Sequence, residues 1–169
     1  MDRLEFQLLG FPEFRLNGRP VTLGLRKAAA LLIYLAEAGG PVAREIAAAL
    51  LWPEADEQAA RARLRRTLHK IGIAFGRKLV DATGESLSLD AALAIDSDSR
   101  RFEHACNVNA LDDAAGIYRG DYLLGFSLPD CPEFEEWAFF RREALRSRLV
   151  QALERLIEER VSAGEPRAA

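Results

Sequence analysis

Seven cationic side chains stand close together in the middle of the chain. Residues 58–78 hold no Asp or Glu, although the 169-residue protein has a formal net charge of −3. Fixed cations beside a nucleic-acid backbone release condensed counterions and so gain affinity. A phosphate backbone is therefore the ligand that best explains this run. The cations are Arg61, Arg63, Arg65, Arg66, Lys70, Arg77 and Lys78.

The apolar residues of the same stretch predict a helix that holds part of this run outward. Asp56 is the expected N-cap, and the helix is expected to end at about Phe75, before Gly76. At about 100° per residue, one side collects leucines and other apolar residues and the opposite side collects small and basic ones. The inner side comprises Leu64, Leu68, Ile71 and Phe75, and the outer side Ala62, Arg66, His69, Lys70 and Ile73.

Such a helix suits the major groove of double-stranded DNA. We expect Arg66 to reach a guanine edge. Arg63, Arg65 and Lys70 are placed to reach phosphates on either wall of the groove. His69 is predicted to be a surface residue or phosphate contact, because no Ser, Cys or carboxylate has an evident pairing with it. The simpler alternative is a solvated, charged helix face without a ligand.

Arg77 and Lys78 follow that helix and extend the basic run. One interpretation gives them contacts to the sugar-phosphate chain from a wing. The other makes them caps for the last helix carbonyls. The sequence leaves both open.

Motifs for other chemistry are missing from the sequence. It has no phosphate-binding loop, zinc-ligand spacing or nucleophile–base pair, so no catalytic residue, metal or cofactor is expected and the chain is predicted not to be an enzyme. Cys106 and Cys131 are too few for a disulfide framework. No apolar run approaches a membrane span, and residues 1–20 lack a signal-peptide core. We therefore expect a cytoplasmic protein without membrane contact.

The elements around the basic run form a recognisable order. Short strands are predicted at residues 4–9, 14–16 and 21–23, with Asn17-Gly18 as a hairpin turn. Helices are expected over 25–38 and 42–51, before the one that begins near Asp56. Strand-like runs at 78–81 and 86–89 flank a turn and make a hairpin. Strands, three helices and a hairpin are typical of a winged helix-turn-helix with an extra N-terminal sheet.

The second half of the chain is helical and acidic. Residues 1–97 have a net charge of +1 and residues 98–169 a net charge of −4. Helices are predicted at 99–106 and 110–118, followed by a loop and one long helix, Pro132–Ser162, with Gly164 and Pro166 as terminators. We therefore expect a winged-helix domain at 1–97 and a helical domain at 98–169, in a mainly α fold with small antiparallel β elements.

The long helix carries apolar residues along much of its length. Packing onto its own core is one explanation, and contact with a second copy is another, and the stripe is long enough for both. The residues predicted for a partner or dimer interface are Trp137, Leu145, Leu149, Leu153 and Leu156.

Three stretches resemble a known family. Leu9-Gly10, Asn17-Gly18 and Arg26-Lys27 match the OmpR-like winged-helix domain of bacterial transcriptional activators of the antibiotic regulatory protein type. Leu51-Trp52-Pro53, Ala60-Arg61 and Leu64-Arg65-Arg66 are similar to the same family's turn and recognition helix. The second half resembles the bacterial transcriptional activator domain that follows in such proteins, through Gly120-Asp121, Gly125-Phe126, Leu128-Pro129-Asp130 and Phe134-Glu135-Glu136-Trp137.

The resemblance implies a transcription regulator that binds double-stranded DNA. It assigns the recognition-helix role to Arg63, Arg65, Arg66, His69 and Lys70, and it makes the second domain a tetratricopeptide-like helical segment for self-association or partner contact. A homodimer, further helical repeats of a larger protein and RNA polymerase are the protein partners considered.

Two features depart from the family pattern. Gly72 and Ile73 stand where relatives commonly place a second basic cluster, which favours an alternative: a protein-interaction module whose winged helix binds DNA weakly or without sequence specificity. The chain also stops after one long helix, where relatives continue. We therefore expect either a fragment of a longer protein or a helix that pairs with another chain.

Overall fold

The computed structural model of the chain describes residues 1–164, so the expected terminator Pro166 lies outside the described residues. Two units emerge from the packing. The first comprises Met1–Phe6, Glu13–Asp96 and Ser127–Trp137. The second comprises Gln7–Pro12, Ser97–Phe126 and the chain from Ala138 onward. The functional division into 1–97 and 98–169 stays a prediction, and the packing units differ from it at 7–12, 97 and 127–137.

An N-terminal sheet opens the first unit. It contains β1 (Arg3–Gln7), β2 (Glu13–Leu16), β3 (Arg19–Val21) and the later strand β7 (Ala94–Ser97), in the order β3-β2-β1-β7. Asn17 and Gly18 have φ angles of 53° and 77°, as the predicted two-residue turn requires. The third strand begins at Arg19, two residues before the predicted start. β7 has no counterpart in the prediction, because its neighbour in the sheet is β1, which is far away in sequence, and no local turn signal links the two strands.

Three helices and a second sheet complete the winged helix. The helices are α1 (Arg26–Ala38), α2 (Arg44–Leu51) and α3 (Glu57–Phe75). The second sheet contains β4 (Val42–Ala43), β5 (Val80–Thr83) and β6 (Ser86–Leu89), in the order β4-β6-β5. The prediction of a helix from residue 42 is wrong at its first two residues. Val42 and Ala43 pair with Leu87 and Ser86, and those partners lie more than 40 residues away in sequence.

The core of the first unit lies beneath α1 and α3. Leu31, Leu32 and Ile33 of α1 are completely buried. On α3 the buried residues are Ala60, Leu64, Thr67, Ile71 and Phe75. Thr67 therefore takes the inner position that was predicted for Leu68, which is half-buried. The centre of the buried face is rotated toward Thr67, whose short side chain fits there.

The second unit is helical. It contains α4 (Asp98–Asn107), α5 (Leu111–Ile117) and most of α6 (Pro132–Ser162). The buried Asp98 carboxylate accepts backbone N–H bonds from Leu8 at 2.7 Å and Leu9 at 3.1 Å, and so attaches segment 7–12 to α4. The predicted bounds of the long helix are confirmed, and Gly164 follows it with a φ of 73°.

Candidate nucleic-acid interface

Helix α3 is held in place by its two ends and its inner side. The Asp56 carboxylate accepts the Ala59 N–H at 2.8 Å, which is the predicted N-cap. Gly76 ends the helix with a φ of 66°. Leu64 and Ile71 are each 1% exposed and anchor the inner side in the core. The orientation of the outer side is therefore set by buried apolar contacts, which hold its polar side chains in solvent.

Four predicted site residues share this outer side. Arg65, Arg66, His69 and Lys70 are all exposed. Within residues 1–164, none of the four has a hydrogen bond or ion pair with another side chain. We call these four residues the free basic face. Their donors are available to an external ligand without breaking an internal contact.

Two other predicted cations on α3 are neutralised by carboxylates. Arg61 lies 2.8 Å from Glu45 of α2 and 2.7 Å from Glu57 of its own helix. Arg63 pairs with Glu54 in the turn between α2 and α3. The pKa of Glu54 is lowered by a hydrogen bond to its own backbone and then by Arg63. Exposed pairs of this kind are weak, because solvent screens both charges, so a phosphate can displace the carboxylate at modest cost.

Arg77 is engaged by carboxylates of the first unit, and its predicted contact to a sugar-phosphate chain stays a prediction. Its guanidinium binds Asp2 and lies 2.7 Å from Asp90, and its Nε donates to the Lys78 carbonyl at 3.4 Å. Hydrogen bonding from Asn17 and then from Arg77 holds the pKa of Asp2 below its ordinary value. Arg77 thus stabilises the first unit by tying together segments far apart in sequence.

Lys78 is more exposed than Arg77 and remains near the wing. Its Nζ lies 2.9 Å from the carboxylate of Asp81, which belongs to β5. The strand itself begins at Val80, so Lys78 precedes the wing instead of opening it. Among the eight predicted DNA-binding residues, Arg61, Arg63, Arg77 and Lys78 are therefore engaged internally, and the other four form the free basic face.

A cleft beside the free basic face brings in a residue that the sequence analysis missed. Its volume is about 330 Å³, and Arg44, Arg61 and Arg65 line it together with the wing turn at Gly84 and Glu85. Arg44 donates to the Gly84 carbonyl at 3.3 Å. Arg44 lies outside the basic run, and the β4–β6 pairing that brings it to the wing depends on distant residues. No local sequence signal identifies it.

The residues predicted for a partner interface have different surroundings. Leu145 is completely buried and belongs to the core of the second unit, so its side chain offers no surface. Trp137 is half-buried, with its ring 5.1 Å from Tyr34 and 5.4 Å from Phe134. Leu149 and Leu156 are half-buried, and Leu153 is 39% exposed.

A different set of α6 side chains forms an exposed apolar row. We call it the α6 outer stripe, and its exposed fractions range from 39% to 68%. Offsets of 3, 7 and 11 residues place its members on one side of the helix. Leu153 is the one member of this row that was predicted for the interface, because amphipathicity alone cannot tell which of two apolar rows is buried. The stripe comprises Val150, Leu153, Ile157 and Val161.

Two other features, a metal site and a membrane span, are missing from the described residues. Within residues 1–164, no group of three or more His, Cys, Asp or Glu is arranged to hold a metal ion. No helix in the same part of the chain combines the length and apolar character of a membrane span.

Comparison with known proteins shows a likeness of fold. No protein-family model matches the chain, and no curated protein matches it. Among solved structures, the chain is similar to Mycobacterium tuberculosis EmbR in complex with a low-affinity phosphopeptide, with a TM-score of 0.68 and 24% sequence identity. The match covers 97% of this chain and 47% of the EmbR chain. It supports the predicted fold, a winged helix followed by a helical segment.

Proposed function

We propose that this chain is a transcription regulator that binds double-stranded DNA through α3. The observation that carries the proposal is the free basic face: four exposed polar donors without internal partners, on a helix whose opposite side is buried. A helix of this kind fits the major groove of B-DNA. The fold likeness to EmbR supports a regulator-type winged helix.

The residues have distinct proposed tasks. Arg66 reads a guanine through its two-pronged guanidinium, while Arg65 and Lys70 bind phosphates on the groove walls. His69 lies between them as a further phosphate contact. Arg61 and Arg63 also bind DNA phosphates, after these replace the carboxylates in their ion pairs. Arg77 and Lys78 are assigned to the edge of the DNA interface, where their positive charge adds to its electrostatic potential.

The helical second half is proposed to mediate self-association or contact with a protein partner. One winged helix buries about 600–1,000 Å² on DNA, which limits the affinity of a single copy. Two copies on repeated half-sites would raise it. The α6 outer stripe is the surface proposed for pairing, in place of the buried Leu145.

Selection of bound duplexes from a random pool tests the DNA-binding proposal. We expect enrichment of a site with at least one guanine whose replacement weakens binding, and repeats of that site if two copies bind. A matched selection with a variant carrying Arg65→Ala, Arg66→Ala and Lys70→Ala is the control. Equal enrichment by the variant, or none by the wild type, contradicts the proposal.

A second candidate function is a protein-interaction module, which one specific observation favours. Ile73 is 67% exposed and lies on the outer side of α3 beside the free basic face. An exposed apolar group there suits a protein surface as well as a thymine methyl. Gel shift with mixed-sequence duplex at low salt separates the two functions. Absence of retardation at tens of micromolar protein, the order of ordinary non-specific affinity, favours the interaction module.

A further inference from the structure

The second unit contains a polar cavity far along the sequence from α3. Its volume is about 280 Å³, and it is bounded by the end of α4, the start of α5 and the middle of α6. The buried side chains of Leu111 and Ala152 are part of its lining. The polar lining consists of Asn107, Arg148, Gln151 and Arg155, with the thiol of Cys106 among them.

The two arginines bring positive charge to this cavity without a carboxylate of their own. Arg148 donates to the Asn107 side-chain oxygen at 2.9 Å, a neutral partner. Arg155 is exposed, and no residue within 1–164 forms a hydrogen bond or ion pair with its side chain. Because they stand seven residues apart on α6, they share one side of that helix.

Three carboxylates on the same elements have partners outside the cavity. Glu103 forms a two-point ion pair with Arg141, at 2.7 and 2.8 Å. Asp112 is bound by Arg160. Glu159 accepts from Asn109 at 3.0 Å. Among the residues that line the cavity, two are arginines and none is a carboxylate, although this half of the chain has a net charge of −4.

The Cys106 thiol does not supply the missing negative charge. Burial raises its pKa, the nearby Glu103 adds to that effect, and Arg148 and Arg155 oppose it. The thiol is consequently neutral near pH 7. It is half-exposed, whereas Cys131 is completely buried, so its accessibility reports on whether the cavity is occupied.

We propose that this cavity binds a small organic oxyanion, with Arg148 and Arg155 holding a phosphate monoester or carboxylate group. Guanidinium groups match the planar geometry of such oxyanions and donate two hydrogen bonds at once. The carboxamides of Asn107 and Gln151 supply further donors, and Leu111 and Ala152 accept a short apolar body. A volume of about 280 Å³ limits the ligand to the size of a small metabolite. The site is independent of the DNA-binding proposal.

Alkylation of Cys106 by the uncharged reagent N-ethylmaleimide tests the site in the full chain. Glycerol 3-phosphate, inorganic phosphate and succinate are added in separate arms, with sodium chloride at equal ionic strength. We expect saturable protection of Cys106 by at least one oxyanion and none by chloride, with peptide mapping to place the label. The arm with the strongest protection distinguishes phosphate from carboxylate ligands.

Charge-removing variants decide whether the arginines are responsible. Arg155→Gln is expected to weaken protection about tenfold or more, as loss of a charged hydrogen bond does. Arg148→Gln should weaken protection similarly. If Arg148→Gln does not fold, the result for Arg155→Gln decides alone. Arg119→Gln is the control, because Arg119 is exposed in the same unit outside the cavity. Unchanged protection in Arg155→Gln, or alkylation that no oxyanion slows, overturns the proposal.

Discussion

At the scale of single residues, the cations of the basic run divide by what they already bind. The side chains of Arg65, Arg66 and Lys70 have no partner within residues 1–164, whereas Arg61 and Arg63 face carboxylates. A free cation gives its full charge to counterion release. A paired cation contributes less to counterion release, because its carboxylate either stays and offsets the positive charge or must first be displaced. The number of cations in residues 58–78 therefore overstates the positive charge that is free to bind DNA.

Replacing single members of the free basic face should separate base reading from phosphate binding. Arg66→Ala is expected to cost about 1–3 kcal/mol and to relax preference at one base pair. Arg65→Ala and Lys70→Ala should weaken binding to all duplexes and reduce the salt dependence by about one ion each. Titrations at several salt concentrations measure both effects.

Arg19→Ala provides the matched control for those variants, because Arg19 is an exposed cation on β3 in the same unit. It should leave the salt slope and the base preference close to the wild type. A slope that stays unchanged in both Arg65→Ala and Lys70→Ala would remove the proposed phosphate contacts.

The carboxylates of Glu45 and Glu57 beside Arg61 should lower the affinity for DNA. In Glu45→Gln/Glu57→Gln, Arg61 loses both partners and is free for a phosphate, so we expect a steeper salt dependence by up to about one ion. The same pair of substitutions in an Arg61→Ala background controls for the general removal of negative charge. Equal gains in affinity in the two backgrounds would show that release of Arg61 is not the cause.

The Glu103–Arg141 pair predicts how stability of the second unit depends on pH. Hydrogen bonding from Arg141 holds the pKa of Glu103 below its ordinary value. A carboxyl with a lowered folded-state pKa stabilises the fold above its unfolded pKa of about 4.3, and that stabilisation is lost as the pH falls through the folded value. Arg141→Met should therefore lower the melting temperature at pH 6 and reduce its further fall between pH 5 and pH 3. An unchanged difference between the two proteins across this range would exclude the linkage.

At the scale of elements, α3 combines strong end signals with a weak interior. Asp56 caps its first turn and Gly76 ends it, and both were predicted because capping depends on neighbouring residues alone. Gly72 interrupts neither the helix nor its buried side. A Cβ at Gly72 would lie 3.6 Å from the nearest atom, the Arg77 carbonyl oxygen. The position therefore has room for a side chain.

Gly72→Ala should stabilise the protein. Alanine in a helix interior is favoured over glycine by about 0.8–1 kcal/mol, and the new methyl group meets only ordinary van der Waals contact. Chemical denaturation should show a higher midpoint with an unchanged slope. DNA binding should be unaffected, since Gly72 lies outside the free basic face. A lower midpoint would mean that glycine is required there for a reason other than space.

Gly125, in the loop between α5 and α6, differs from Gly72 because a Cβ there would be crowded. Its φ is 71°, and a Cβ built there would lie 2.7 Å from the ring of Phe11. Both the backbone conformation and the contact disfavour a larger residue. This glycine belongs to one of the motifs that carry the family resemblance, and the structure supplies a physical reason for it.

At the scale of the whole molecule, surface chemistry differs between the halves of the chain. Residues 1–97 carry a net charge of +1 and residues 98–169 a net charge of −4, so a polyanionic partner suits the first. The exposed apolar surface of α6 suits a protein partner. Val150, Ile157 and Val161 are each more than half exposed, and single copies rarely keep such a continuous row in water.

Ile157→Glu should weaken self-association by placing a charge in the α6 outer stripe. We expect sedimentation velocity to show a concentration-dependent dimer for the wild type and a monomer for the variant. Ala144→Glu adds the same charge at an exposed position on the same helix, on the side away from the stripe, and should leave the dimer intact. A monomeric wild type at all concentrations would instead assign the stripe to another protein partner.

The sequence by itself determined the features that depend on short stretches of chain. The bounds of α6, the cap of α3 and the Asn17-Gly18 turn all follow from periodicity or local backbone preference. The outward position of Arg66 and Lys70 follows in the same way, because the leucines that oppose them lie within a few helical turns.

Tertiary structure alone decided which of these side chains are available. The pairs Arg61–Glu45 and Arg77–Asp2 join residues 16 and 75 positions apart, and the choice of Leu145 for the core over Val150 depends on what covers each side of α6. Strands β4 and β7 are too short to be stable alone and exist only beside their partners. Ion pairing, burial and strand addition are set by distance in space, which no spacing along the chain encodes.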